Sequence, residues 1–442
     1  MMRTLAALLL VALLPRPLVA QPSPIRLTLA DAIARGFDTS HRLAEVRARE
    51  QGALAAVRGA HLADRPIVTA SAGYLRTNHV TEFAFGQGSA RTVVYPDIPD
   101  NVVSRVSFQW PIYTSGRVDA LERAAAAEAQ AVGADIETTR ADLRLEIVRA
   151  YWAAATAREA VRVLEESTAR ADAQLRDARQ RFAVGLVPPN EVSSLEAQRS
   201  REQAQLIEAS NIRESTLVDL RRLIGADPET VVELADSLDQ VGVSGAPVAS
   251  GAGALVQEAL ERRPERKALN LRLGGVEARQ QAAMTANKPT VAVGAGVDYA
   301  NPNSRIFPRK GEWQESWDVS VNVSWAFFDF GRTKAQVAEA AAVATATRER
   351  IAEFDSVVAA DLRQRLLDLD SSLAIVKAAS DAVRSAAEAR RVVGDRFAAG
   401  VATSTDVVVA QVAMLEAGLA RTRSLAGVRL AEARLHRVLG RP

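Results

Sequence analysis

The chain has 442 residues, with 55 Lys+Arg against 53 Asp+Glu, four histidines and no cysteine. A near-neutral balance removes the electrostatic reason to seek a nucleic-acid partner. The lack of cysteine excludes disulfides, thiolate metal sites, thiol nucleophiles and a lipidated cysteine anchor. His41, His61, His79 and His436 are scattered without metal-ligand spacing, so no metal, cofactor or catalytic group is expected.

Residues 1–20 carry Arg3, an apolar run from Leu5 to Leu14 and a cleavage site after Leu18-Val19-Ala20. They read as a secretory signal peptide, the run being too short for a membrane span. Without them, 53 Lys+Arg balance 53 Asp+Glu. A first repeat is expected over 21–225, opening with the helical Leu29-Ala-Asp-Ala-Ile-Ala-Arg35. Two strands follow, at about 66–75 and 102–113, separated by a stretch after Tyr74 that reads as a loop. Val68, Ala70, Ala72 and Tyr74 share one face of the first strand, which starts after Pro66, where a missing donor does no harm. In the second, Val106, Phe108, Trp110 and Ile112 point one way and Arg105, Ser107 and Gln109 the other.

From Arg117 to Phe182 there is no proline and one glycine, Gly133. A helix of that length is a rod of roughly 100 Å at 1.5 Å per residue. Alanine clusters such as Ala124–Ala127 leave little side chain between neighbouring helices, which suits a thin wall better than a thick core. The rod ends in the turn Gly185-Leu-Val-Pro-Pro-Asn190. A returning helix begins there, with Asn190 in N-cap position and Glu191 in its first turn, and runs to Gly225. Residues 226–254, rich in Gly, Ala, Ser, Asp and Pro, read as linker.

Residues 255–442 repeat the plan. Strands are expected at about 289–299 and 316–328, the latter with Trp317, Val319, Val321, Val323, Trp325 and Phe327 on one face and Asp318, Ser320, Asn322 and Ser324 on the other. A rod runs from Arg332 to Ala398, then the turn Gly400-Val-Ala-Thr-Ser-Thr405, with Thr405 as N-cap and Asp406 in the first turn. Three motif pairs keep one offset of 215 positions. Trp110 to Gly116-Arg117 returns as Trp325 to Gly331-Arg332, Arg181-Phe-Ala-Val-Gly185 as Arg396-Phe-Ala-Ala-Gly400, and Leu220 to Gly225 as Leu435 to Gly440. This is a duplicated structural unit.

Trp317 and Trp325 stand about 26 Å apart along a strand at roughly 3.3 Å per residue. An outer-membrane apolar band of about 25 Å bordered by aromatic girdles fits that spacing. Four strands cannot close a barrel, and an open sheet in lipid strands its edge donors and acceptors. Two chains would supply eight strands and three would supply twelve. The small, polar inward residues favour an aqueous lumen and hence three.

These motifs resemble TolC-type outer membrane efflux proteins. The aromatic-x-x-x-Gly-Arg junctions carry the likeness, with Arg396-Phe-Ala-Ala-Gly400 followed by Asp406-Val407 and Gln411, and the Leu-x-x-x-Leu-Gly endings. The resemblance implies a mainly α fold with a β-barrel contribution. Two helix-strand-strand-long helix-turn-helix repeats would trimerise into a 12-stranded barrel in the outer membrane on an α-helical periplasmic tunnel. It also implies a homotrimer that meets a periplasmic adaptor and an inner-membrane pump of RND, ABC or MFS type, and conducts passively. Gly185, Leu186, Gly400 and Val401 would be the adaptor-docking tip turns. Asp406, Glu191 and Phe397 would line the periplasmic aperture, where three Asp406 carboxylates would raise one another's pKa. Gly116, Arg117, Gly331 and Arg332 would form the strand-to-helix junctions, and Trp110, Trp317 and Trp325 the girdle in contact with outer-membrane lipid.

The chain departs from that pattern at the tip. Val409 replaces a second acid, and Phe397 and Ala402 stand where a latching tyrosine and arginine are usual. The expectation is a tip held by helix packing and readily opened. A rival reading is a periplasmic coiled-coil scaffold without channel activity, which would leave membranes without detergent. An enzyme lacks support, because alanine-rich helices supply no pocket and the chain no phosphate loop. Drugs, metal cations and secreted proteins are not separated as cargo by these residues.

Overall fold

The computed structural model describes residues 25–238 and 251–441. The expected signal peptide, and residues 239–250 of the expected linker, lie outside the described residues. The chain forms two compact units, and neither coincides with a repeat. One comprises the residues up to His41, Arg140–Val256 and those from Asp361 on; the other comprises Arg42–Thr139 and Gln257–Ala360. Each unit draws on both repeats, because a single repeat has too few strands and too thin a helical layer to bury its own apolar surface.

The unit of Arg42–Thr139 and Gln257–Ala360 is built on an antiparallel sheet. The strands are β2 (Ile67–Arg76), β5 (Asp100–Tyr113), β7 (Thr290–Asn301) and β8 (Gln314–Ser324), in the order β2-β5-β7-β8. Strands of the two repeats therefore pair directly, β5 with β7. The register sets Val106 opposite Val297 and Val297 opposite Trp317, so that these share one face. Arg105 lies opposite Asp298, and Gly296 opposite Asp318, on the other.

β8 stops at Ser324, short of the span to 328 that its alternation suggested, so Trp325 and Phe327 stand beyond the strand. The reason is non-local. Ser324 pairs with Thr290, the first residue of β7, and before it comes Pro289, so nothing is left to continue the ladder. The stretch after Tyr74 contains a small hairpin, β3 (Phe83–Phe85) with β4 (Thr92–Tyr95), where a plain loop was expected.

Helices α2 (His41–His61) and α6 (Pro264–Ala283) precede the two strand pairs, and each repeat opens with two helices where one was expected. The earlier members are α1 (Leu29–Thr39) and α5 (Ala252–Arg262). In the second repeat the break has a local cause: Pro264 excludes helical backbone from Arg263, which sits at φ −70°, ψ 122°. The long helices are α3 (Arg117–Ala183) and α7 (Arg332–Ala398), each of 67 residues. Ala120, Ala124, Ala131 and Ala134 of α3 are buried at three- to seven-residue intervals, and Ala131 and Ala134 cluster with Ala268 of α6. Arg272 of α6 pairs with Asp135, and Arg266 with Asp355 of α7 at 2.7 Å.

The other unit holds the returning helices α4 (Pro189–Leu223) and α8 (Ser404–Leu439) and a two-stranded parallel ribbon, β1 (Ile25–Leu27) with β6 (Val232–Leu234). Tyr151 of α3 is fully buried beneath this ribbon. Its hydroxyl lies 3.0 Å from Leu27 O and 2.9 Å from Asp236 Oδ2, and accepts the Asp236 N–H at 3.2 Å. Burial pushes the phenol well above its ordinary range. Small apolar clusters step along the helices: Val161 and Leu164 with Ala209 and Leu415, then Leu175 and Ala178 with Leu195.

Candidate channel wall, junctions and tip

The two faces of the sheet differ sharply in chemistry. One carries Val106, Val297, Trp317, Val319, Val321 and Val323, all exposed, with Trp317 75% accessible. A row of valines and tryptophan turned outward is costly in water and favourable in lipid. The opposite face carries Thr69, Ser71, Ser107, Gly294, Ser320 and Asn322, mostly small or polar, with Ile67, Leu75 and Val103 among them. Its charged strand residues form one group. Arg105 donates to Asp298 at 2.6 Å and to Asp318 at 2.9 Å, bridging β5, β7 and β8. Gly296 makes room for it, since a Cβ there would collide with the Arg105 guanidinium.

At the helix end of the sheet, both junctions turn on two consecutive residues of positive φ. These are Ser115 (54°) and Gly116 (80°) in one, Phe330 (52°) and Gly331 (86°) in the other. The left-handed pair bends the chain into the helix within two residues. Arg117 N–H then donates to Thr114 O at 3.0 Å and Arg332 N–H to Asp329 O at 3.1 Å, opening α3 and α7. Trp110 and Trp325 are alike in anchoring: their indole N–H groups donate to Asp64 O (3.0 Å) and Asn287 O (2.9 Å), just past α2 and α6. Trp317 lies at the other end of β8. Asp368 of α7 is occupied by Arg365 and Gln364 of its own helix.

The two tip turns are near-copies. Gly185 and Gly400 both adopt φ 77°. Gly185 N–H donates to Phe182 O and Leu186 N–H to Arg181 O, at 2.9 and 2.8 Å; Gly400 and Val401 do the same to Phe397 and Arg396. This Schellman arrangement closes a helix on its own carbonyls. It projects Leu186 and Val401 outward, 74% and 65% exposed. The N-caps fall two residues earlier than the sequence suggested. Pro188, extended because Pro189 follows it, caps α4. Thr403 caps α8 through a reciprocal box with Asp406.

Asp406 accepts the Thr403 backbone N–H and its hydroxyl, both at 2.8 Å. These bonds hold its carboxyl below the usual carboxylate range. Within one chain the balance thus runs opposite to the mutual repulsion expected of three such groups. Glu191 occupies the same third helical position of α4 and is half-buried. Phe397 is half-buried beneath the Arg181 guanidinium, 5.5 Å from the ring centroid. An arginine of the first repeat thus meets an aromatic ring of the second, a contact beside the helix packing expected to hold the tip. The Arg105 bridge was missed as well. Its signal was opposite charges at inward positions of strands that pair, and that pairing was not yet known.

A family model described as outer membrane efflux protein matches residues 37–226 and 255–441. Among curated proteins, Protein CyaE of Bordetella pertussis is 30% identical over 236 residues, covering 52% of this chain and 47% of CyaE, so the match spans about half that relative's length. Outer membrane protein TolC of Vibrio cholerae is 23% identical over 384 residues, 86% of this chain and 83% of TolC. Among solved structures, the outer membrane protein VceC of Vibrio cholerae superposes with a TM-score of 0.76 at 19% identity, over 93% of this chain and 96% of VceC.

Proposed function

The chain belongs to the outer membrane efflux protein family, and from that premise we propose that three copies form a passive exit duct through the outer membrane and periplasm. The observation that carries this reading is the four-stranded sheet with an apolar face, a polar face and its end strands β2 and β8 at open edges. Closing those edges against neighbouring chains turns the apolar faces to lipid and the polar faces to a common lumen. The junctions at Gly116-Arg117 and Gly331-Arg332 then mark the membrane's inner surface, with Trp110 and Trp325 in its aromatic girdle and Trp317 in the outer one.

The duct has no energy source of its own in this reading. An inner-membrane pump of RND, ABC or MFS type supplies it, joined through a periplasmic adaptor docking on Gly185, Leu186, Gly400 and Val401. The outward Leu186 and Val401 suit that role, as exposed apolar groups at two equivalent turns. Asp406, Glu191 and Phe397 border the periplasmic aperture. The chain is a conduit and not an enzyme, and the genes beside its own are the cheapest guide to whether the cargo is drugs, cations or protein.

Single-channel recording in planar bilayers tests this reading. Discrete conductance steps with a preference for cations are expected, and Asp406→Ala should weaken that preference. A protein that inserts and never conducts would overturn the duct.

A further inference from the structure

The connection between β7 and β8 does not project away from the sheet but folds back along the polar face. Asn303, only 2% exposed, donates to Gln314 O at 3.1 Å and to Ser316 Oγ at 3.0 Å. Arg305 reaches further down the same face. Its guanidinium donates to Asp318 Oδ1 at 2.6 Å and to Trp317 O at 3.0 Å, and lies 3.9 Å from Asp298 Oδ2. These are the two carboxylates that Arg105 also holds. Beyond this point the connection crosses back: Arg309 donates to Asn101 Oδ1 at 3.3 Å, at the top of β5, and to Tyr95 Oη at 3.1 Å. The segment from Asn303 to Arg309 is therefore tied at both ends over the side of the sheet that carries Ser107, Gly294 and Ser320.

A loop with no role on that face would leave its arginines to water, where an isolated pair contributes little. Here two arginines and two aspartates make a half-buried network with balanced charge, in which every partner sits on a different element. When the loop lifts, Arg305 leaves Asp318 and Trp317 O, while Arg105 stays bonded to both aspartates. Both carboxylates thus keep a charged partner on opening, and this is the property required of a strap that moves.

Resting on the duct reading above, we infer that the β7–β8 connection is an outer gate, with Arg305 as the strap that holds it across the mouth of the lumen by its bond to Asp318. Three such loops, one from each chain, narrow the outer end against bulky external solutes and lift as cargo arrives from the periplasmic side.

The chain has no cysteine, so one introduced thiol reports on the gate directly and independently of the periplasmic aperture. Asn322 lies on the polar face of β8, four residues nearer the helices than Asp318. In intact cells carrying Asn322→Cys, labelling from outside by a maleimide on a 5 kDa polyethylene glycol is compared with and without Arg305→Ala. A minor open state holds a few per cent of the population at most, so freeing the strap should speed labelling about tenfold. A small methanethiosulfonate reagent should change little. Arg305→Lys, which keeps a charge without the fork, should fall between. Raising salt to about 1 M, where screening reaches 3 Å, should accelerate labelling of the Asn322→Cys protein without any loop substitution, so the test survives a variant that misfolds. Equal bulky labelling with and without Arg305, together with no response to salt, would overturn the gate. Lys310→Cys, exposed in the same connection, is the control for the reading beneath it. If that thiol is not labelled in intact cells, the loop does not face outward and the duct orientation itself falls.

Discussion

Thr403 and Asp406 illustrate how a residue chosen for one role is first committed to another. The Asp406 carboxylate closes the first turn of α8 by accepting from Thr403. Any contribution to an aperture is added to that capping duty. Replacing Thr403 with alanine removes one half of the box and should cost about 1 kcal/mol of local helix stability, read as faster amide exchange over Ser404–Val407. The pH dependence follows from the sign of the shift. The folded carboxyl is held below its unfolded value, so its stabilisation is complete above the unfolded pKa and is lost as pH falls through the folded one. Protection relative to the intrinsic exchange rate in that turn should therefore stay constant at neutral pH and fall only below about pH 4. A fall in protection already at pH 6 would mean that neighbouring carboxylates, and not Thr403, control the group. Phe397 of the second repeat packs at the tip against a residue of the first. With Arg181 over its ring, the tip has a contact between repeats after all, and a partly exposed cation–π pair contributes about 0.5–1 kcal/mol. Phe397→Leu keeps the apolar volume and removes the π face. It should raise the open probability of single channels two- to fivefold by that estimate, and Arg181→Ala should match it without the two effects adding.

Strand β8 shows what alternation can and cannot reveal about an element. From Trp317 to Ser324 the period of two was legible, because each side chain's face is a local property of extended backbone. The pattern ran on through Trp325 and Phe327, yet the strand did not, since its end is set by Pro289 and Thr290 on another strand. The same limit hid the β1–β6 ribbon, whose strands of three residues are too short for any period and are held together by Tyr151 from a distant helix. The long helices, by contrast, were plain in the composition: α3 and α7 begin at Arg117 and Arg332, immediately after the junction glycines. The two faces of β8 predict opposite outcomes for adjacent substitutions. An arginine at the lipid face near mid-membrane costs about 2–4 kcal/mol. Val321→Arg should therefore reduce the heat-resistant oligomer in outer membranes to a small fraction of its normal amount, whereas Asn322→Arg should assemble normally. Equal losses from both would mean that the sheet is buried on each side, as in a soluble scaffold.

At the scale of the whole molecule the duplication and the compact units divide the chain in different directions. Sequence similarity groups residues 37–226 and 255–441, whereas packing groups the four-stranded sheet built from both repeats in one unit and the returning helices of both in the other. A repeat that cannot bury its own surfaces must share them, and the same holds for the open edges of the sheet. β2 and β8 remain at the edges of the sheet, and each unpaired backbone group in lipid costs several kcal/mol. The number of chains that close the edges follows from what fills the interior. Eight strands leave space that side chains must pack. The polar face offers serines, threonine, glycines and one charged cluster, with Ile67, Leu75 and Val103 as the larger apolar groups among its described strand residues, too little volume to fill such a core. Twelve strands enclose water, which satisfies those same groups. The detergent-extracted protein should thus show about three times the chain's mass in native mass spectrometry, and collapse to a single chain on boiling. Twice the mass would mean a packed eight-stranded plug, and the conductance expected of a duct would then be absent. A single chain stable without detergent would remove the barrel and leave the helices as a scaffold.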